Sequence, residues 1–183
     1  MDSGTATLLA AVVAAVASLA TLVLSTLTSR AAEFRASFRQ SLDPHIADLG
    51  EAIHETIAIS KMLIRAQGDE STGNWRLRGK RAQGQLKSLR GQMRYSLWGV
   101  DEGLRVLTRV PDWLDHLRTF PESSEKLFAR ATGLSEYVDL VIYRAYRRGR
   151  PPNFLERMRV RYLAWRLRST HSSIMAVDRA ERR

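Results

Sequence analysis

Cysteine is absent from this 183-residue chain, so neither a disulfide framework nor thiolate chemistry is available to it. Such a composition fits a reducing compartment. Catalytic signatures are missing as well. The glycines match no phosphate-binding loop, and no nucleophile, base and orienting group form a recognisable set. The sequence therefore predicts a non-enzymatic protein with no catalytic residues and no cofactor.

Charge is absent from the first part of the chain, where no charged side chain occurs between Asp2 and Arg30. A membrane-spanning helix needs roughly 20 apolar residues, and residues 5–28 provide that length. A cleaved secretory signal would begin with basic residues and have a shorter apolar segment. We therefore expect residues 1–29 to form an uncleaved transmembrane anchor in the lipid bilayer.

Basic residues follow this run closely and none precedes it. Arg30, Arg35 and Arg39 lie just beyond the anchor. The positive-inside rule then places the amino terminus outside and the rest of the chain in the cytoplasm. Because the richness in alanine and arginine is typical of a GC-rich bacterial genome, we expect the protein to be a single-pass protein of the inner membrane.

Small residues recur along the apolar run at alternating steps of four and three, which is close to the period of a left-handed coil. We expect this transmembrane seam to pack against another membrane helix, because small side chains allow close approach and hydroxyls can bond across the contact. Two alternatives stay open. The hydroxyls bond to their own backbone and share a face by chance, or the face lines a water-filled pore in a ring of copies. The seam consists of Thr7, Ala11, Ala14, Ser18, Thr21, Ser25 and Thr28.

Strand signals are absent after the anchor, and apolar residues recur there at three- and four-residue steps. The pattern predicts an all-α protein: a single N-terminal transmembrane helix followed by a cytoplasmic bundle, or antiparallel coiled coil, of about four long amphipathic helices. A juxtamembrane helix over 30–66 is expected to break near 43–44, where Asp43 can cap a new helix starting at Pro44. A loop over 67–74 precedes a helical bundle domain over 75–183.

Local signals divide the bundle domain further. The second helix should run from about Trp75 to Arg109. On its outer face, Gly84 and Gly91 either permit close approach by a neighbouring helix or simply destabilise the helix. Asn153 and Glu156 resemble a capping box that opens the last helix. That helix carries two apolar stripes, one of Leu155, Met158, Tyr162 and Trp165 and another of Leu163, Leu167, Ile174 and Val177.

One metal-ligating pattern occurs, the Glu-x-x-His element of Glu51 and His54. Bundles that hold two metal ions use two such elements, and this chain has one, so the sequence predicts no metal site. Asp112, Asp115 and His116 cluster in a short helix, where capping and solvent exposure explain them.

Arginine dominates the basic residues and concentrates toward the carboxyl end, in a chain with net charge +10. Guanidinium groups favour phosphates and carboxylates, so we expect a surface for an anionic partner. The partner can be acidic lipid headgroups, an acidic protein or nucleic acid, although no sequence-recognition motif for nucleic acid is present. A face that is simply solvated is a further alternative. The predicted surface consists of Arg147, Arg148, Arg150, Arg157, Arg159, Arg161, Arg166 and Arg168.

Together these features favour a membrane-anchored, non-enzymatic helical protein that associates with itself or with a membrane-protein partner at the cytoplasmic face. One alternative is an oligomeric effector that forms a pore or perturbs the bilayer through the hydroxyl seam. Another is a membrane-tethered protein that binds nucleic acid through its arginines.

Overall fold

The computed structural model describes residues 3–66, 69–93, 97 and 99–181, with side chains described over 11–66, 72–93, 97 and 99–177. Over these residues the chain is helical and contains no strand, which confirms the predicted all-α class with one long apolar helix at the amino terminus. The helices are α1 (Ser3–Arg65), α2 (Asp69–Gln92), α3 (Asp101–Leu107), α4 (Val110–His116), α5 (Pro121–Arg148) and α6 (Phe154–Glu181).

The chain divides into two compact units, Met1–Ser37 and Phe38–Arg183. In the first unit, every described side chain is exposed and the residues belong to α1. This helix is long and apolar enough to cross a membrane. The second unit contains the rest of α1 and all the other helices.

The break predicted near 43–44 is absent, because α1 continues through Pro44. Asp43 does not cap a new helix. Its carboxylate instead accepts a hydrogen bond from the Tyr146 hydroxyl on α5. Leu42 and Leu49 on either side of the proline are fully buried. The proline itself is exposed, so the carbonyl that loses its helical partner can bond to water. Packing of the apolar face therefore outweighs the local signal for a break.

The loop predicted over 67–74 is wrong for residues 69–74, which belong to α2. Residues 67 and 68 lie outside the described part of the chain. Thr72 in this first part of α2 is buried and accepts a hydrogen bond from the Arg118 guanidinium. A tertiary contact of this kind overrides weak helix propensity. The predicted second helix is also divided, since α2 ends at Gln92 and α3 begins at Asp101.

The core of the second unit is built mainly from leucine and valine side chains, and all its helices contribute to it. Along α5, apolar residues recur at three- and four-residue steps and all of them are buried: Leu127, Ala131, Leu134, Val138, Val141 and Ala145. The short helix α3 lies against both α5 and α6. Gly103 permits this approach, because a Cβ atom there would lie 2.7 Å from Val160 Cγ1 and 2.8 Å from Val138 Cγ2.

Candidate functional surface

The predicted transmembrane seam lies on exposed residues of α1, apart from Thr7, whose side chain is outside the described residues. Each described hydroxyl of the seam (Ser18, Thr21, Ser25 and Thr28) donates to a backbone carbonyl three or four residues earlier in the same helix, at 2.8–3.0 Å. These donors are therefore satisfied without a neighbour. The small side chains of the seam would let a second helix approach closely. Self-association through the seam stays a prediction.

The capping box predicted at the start of α6 is confirmed, and its glutamate also binds one arginine of the predicted anionic-partner surface. The Glu156 backbone N–H donates to Asn153 Oδ1 at 2.8 Å, and Glu156 Oε2 accepts from the Asn153 backbone N–H at 3.0 Å. Arg148 Nη1 donates to the other oxygen of this buried carboxylate at 2.9 Å. The Arg148 guanidinium thus neutralises a carboxylate of its own chain.

Two further arginines of the predicted surface are also engaged within the second unit. Arg168 Nη2 lies 2.6 Å from Glu102 Oε1, which ties α6 to α3. The Arg157 side chain lies over Gly99, whose φ of 95° and lack of a Cβ make room for it. These contacts hold the bundle together.

The remaining five arginines of the predicted surface are Arg159, Arg161 and Arg166 of α6, Arg147 near the end of α5, and Arg150 between the two helices. Arg147, Arg150 and Arg161 are exposed and form no ion pair with a carboxylate in the described part of the chain. Arg159 and Arg166 project from α6 toward α5 and line a groove between the two helices.

This α5–α6 groove has a volume of about 530 Å³ and brings three arginines together against one glutamate. Arg130 of α5 faces Arg159 and Arg166 of α6 across it. The Arg159 guanidinium carbon lies 4.6 Å from the centroid of the Tyr137 ring, a cation–π contact that holds this side chain in place. The groove is lined by Ala129, Arg130, Gly133, Glu136, Tyr137, Leu140, Arg159, Leu163 and Arg166.

Beside the groove, α6 exposes a row of large apolar side chains, which we call the α6 stripe: Leu155, Met158, Tyr162 and Trp165. Their exposed fractions are 75%, 47%, 54% and 58%, so none belongs to the core. The sequence spacing indicated this stripe and a second one on the same helix. Of the second stripe, Leu167 is fully buried while Leu163 and Ile174 are half-buried, and Val177 is exposed.

Positive charge borders the α6 stripe on both sides. Arg159 and Arg166 stand one helical turn beyond Leu155 and Tyr162, and residues four apart are neighbours on a helix surface. Arg161 borders the other edge, three residues after Met158. The face of α6 turned away from the core is therefore apolar along its middle and cationic along both edges.

The other clusters that the sequence suggested have local structural roles. His54 Nδ1 lies 3.0 Å from the Gly50 carbonyl. Arg76 binds Asp115 at 2.7 Å, and His116 Nδ1 lies 2.7 Å from the Asp112 carbonyl. Among the described residues, no group of three or more histidine, aspartate or glutamate side chains is placed to hold a metal ion.

His171 has a partner that the sequence could not indicate. Its ring stacks on Trp113 of α4, with centroids 4.4 Å apart and planes 16° from parallel. Partial burial, and secondarily the nearby His116, lower the pKa of His171 below its usual value. The contact joins α6 to α4 on the core side, away from the α6 stripe.

Relatives do not help to choose among the functions open to this surface. Comparison of the chain with protein-family models, with curated proteins and with solved structures gave no match.

Proposed function

We propose that this chain is a membrane-anchored, non-enzymatic helical accessory protein whose second unit engages a partner through the exposed face of α6. The α6 stripe is the observation that carries this proposal. An unbroken row of four large apolar side chains opposite the core is unusual on a monomeric domain, because their exposure to water loses the favourable free energy of burial. Such rows are characteristic of interaction surfaces.

The first unit supplies the anchor in this proposal. Its exposed apolar helix is long enough to cross a bilayer, and Arg30 and Arg35 follow the uncharged run. On the positive-inside rule we place the protein in the inner membrane of a bacterial cell, with its amino terminus outside and its second unit in the cytoplasm. The anchor keeps the second unit near other membrane components and raises their effective concentration.

The arrangement of groups favours binding over chemistry. Of the titratable residues that the sequence singled out, His54 and His116 lie within hydrogen-bond distance of backbone carbonyls, and Asp115 is ion-paired with Arg76. The α6 stripe and the arginines that border it present apolar, aromatic and guanidinium groups, and aromatic and arginine side chains are prominent in binding surfaces.

Site-specific photocrosslinking in living cells tests this proposal. A benzophenone amino acid replaces Tyr162 in the α6 stripe, and the same group at Lys87, exposed on α2, is the matched control. We expect one defined adduct, with a protein or with lipid, from position 162 and none from position 87. Equal or absent crosslinking at the two positions, in chain recovered from the membrane fraction, would contradict the proposal.

A further inference from the structure

The α6 stripe and the α5–α6 groove form one continuous surface, because Arg159 and Arg166 belong to the groove and also border the stripe. From this geometry we infer that the surface docks on an anionic lipid bilayer. Lipid phosphates bind in the groove to Arg130, Arg159 and Arg166, and the stripe inserts among the headgroups. This inference rests on the proposed function and names the partner of the α6 face.

Charge complementarity points to an anionic occupant. Three arginines face the groove against a single acid, Glu136, and none of the three is ion-paired with a carboxylate in the described part of the chain. Guanidinium groups bind phosphate oxygens in a planar fork. A groove of about 530 Å³ is also within the size range of small-molecule sites.

The chemistry of the stripe points to a lipid interface in particular. Tyr162 and Trp165, whose rings lie 6.1 Å apart, are of the two residue types enriched at the level of lipid headgroups. Leu155 and Met158 add aliphatic surface that acyl chains can cover. A helix with an apolar face between cationic edges is the arrangement that lies in the plane of an anionic membrane surface.

Other occupants fit less well. A second copy of the chain, docked stripe to stripe about a two-fold axis, would bring the cationic edges against each other. Nucleic acid would meet the arginines and the aromatic rings but leave Leu155 and Met158 without apolar cover, because its own surface is polar and charged. The bilayer satisfies both the charge and the apolar row.

The absence of cysteine makes a direct test possible, because a single introduced cysteine labels one position. The full-length Met158→Cys chain is labelled with an environment-sensitive fluorophore and reconstituted into phosphatidylcholine vesicles with or without phosphatidylglycerol. Lys87→Cys, on α2, is the control position. We expect a blue shift, and quenching by brominated lipid, only at position 158 and only with phosphatidylglycerol.

Charge-neutralising variants then test the groove. The pair Arg159→Gln with Arg166→Gln should lower the ratio of docked to undocked protein about 30-fold, which corresponds to about 2 kcal/mol. Arg159→Lys with Arg166→Lys should retain most of the docking. Arg81→Gln with Arg109→Gln, which removes the same charge from exposed sites outside the surface, should leave it nearly unchanged. Circular dichroism checks that each variant is folded.

Three results would overturn the inference. The first is a label at 158 that stays in water in anionic vesicles. The second is insertion that is the same without phosphatidylglycerol or with both arginines neutralised. The third is a shift produced by duplex DNA or RNA in neutral vesicles. An adduct with a protein at position 162 in cells, together with no insertion here, would retain the proposed function and reject only its lipid partner.

Discussion

At Gly103, α3 approaches α5 and α6 so closely that a side chain does not fit. We predict that Gly103→Ala lowers the free energy of unfolding by about 1–3 kcal/mol, the usual cost of overpacking. Gly84→Ala is the matched control, since nothing lies within 4 Å of its added Cβ. It should raise stability by up to about 1 kcal/mol, because alanine is the better helix former. Thermal unfolding in detergent measures both, and a stabilising Gly103→Ala would contradict the packing described.

The sequence did not distinguish these two kinds of glycine. Gly84 and Gly91 lie on the outer face of the predicted helix, and the sequence fits either close packing by a neighbouring helix or a less stable helix there. The structure shows open space at both positions, and the close approach is at Gly103. A helical pattern identifies which residues share a face, but contacts between residues distant in sequence depend on the tertiary fold.

His171 makes stability depend on pH. Because its pKa is lowered in the folded state, the unfolded chain binds more protons as the pH falls through the usual histidine range of about 6.5. The free energy of unfolding therefore decreases as pH falls from above 6.5 through the lowered pKa, and the loss is complete below it.

We predict that His171→Phe, which preserves a ring to stack on Trp113, shrinks the drop in melting temperature between about pH 8 and about pH 5. Thermal melts of the two proteins across this range measure the effect. An identical pH dependence in the variant would show that burial of His171 does not contribute.

Among the elements, α6 shows which features can be predicted from hydrophobic periodicity. Its two apolar stripes could both be read from the sequence, and so could its capping box, because these patterns are local. Which stripe packs in the core depends on the placement of α3 and α5, and this is tertiary information. The face left exposed became the candidate functional surface.

Helix α1 shows the opposite case, in which a local signal is overridden. Asp43 and Pro44 form a good helix start, yet α1 continues because Leu42 and Leu49 are buried and Asp43 binds Tyr146. Neither contact is visible in sequence, since Tyr146 lies about a hundred residues away.

Arg39 of α1 stabilises the carboxyl end of α5. It donates to the carbonyl oxygens of Tyr146 and Arg147 at 3.3 and 2.7 Å, where a helix carries partial negative charge and unpaired acceptors. We predict that Arg39→Gln lowers stability by about 1 kcal/mol, or about 2–4 °C in melting temperature for a unit of this size. Arg35→Gln, exposed on the same helix, is the control and should leave the melting temperature unchanged. Equal melting of both variants would contradict the capping role.

At the scale of the whole molecule, the excess of arginine predicted an anionic partner but not the surface that meets it. Eight arginines lie close together in sequence, and the structure separates them. Arg148 and Arg168 bind carboxylates within the chain. Arg159 and Arg166 instead lie in the groove with Arg130, a residue outside the predicted surface. Charge density along a chain gives the sign of a surface, and only the fold determines which charges stay available.

We propose that an apolar helix in the first unit anchors a basic helical domain to a membrane. Alkaline carbonate extraction of membranes from cells expressing the full chain, followed by detection through a carboxyl-terminal tag, tests it most directly. We predict that the full-length protein resists extraction and is released only by detergent. Full-length protein in the aqueous fraction, or an exported product shortened near Arg30, would contradict it.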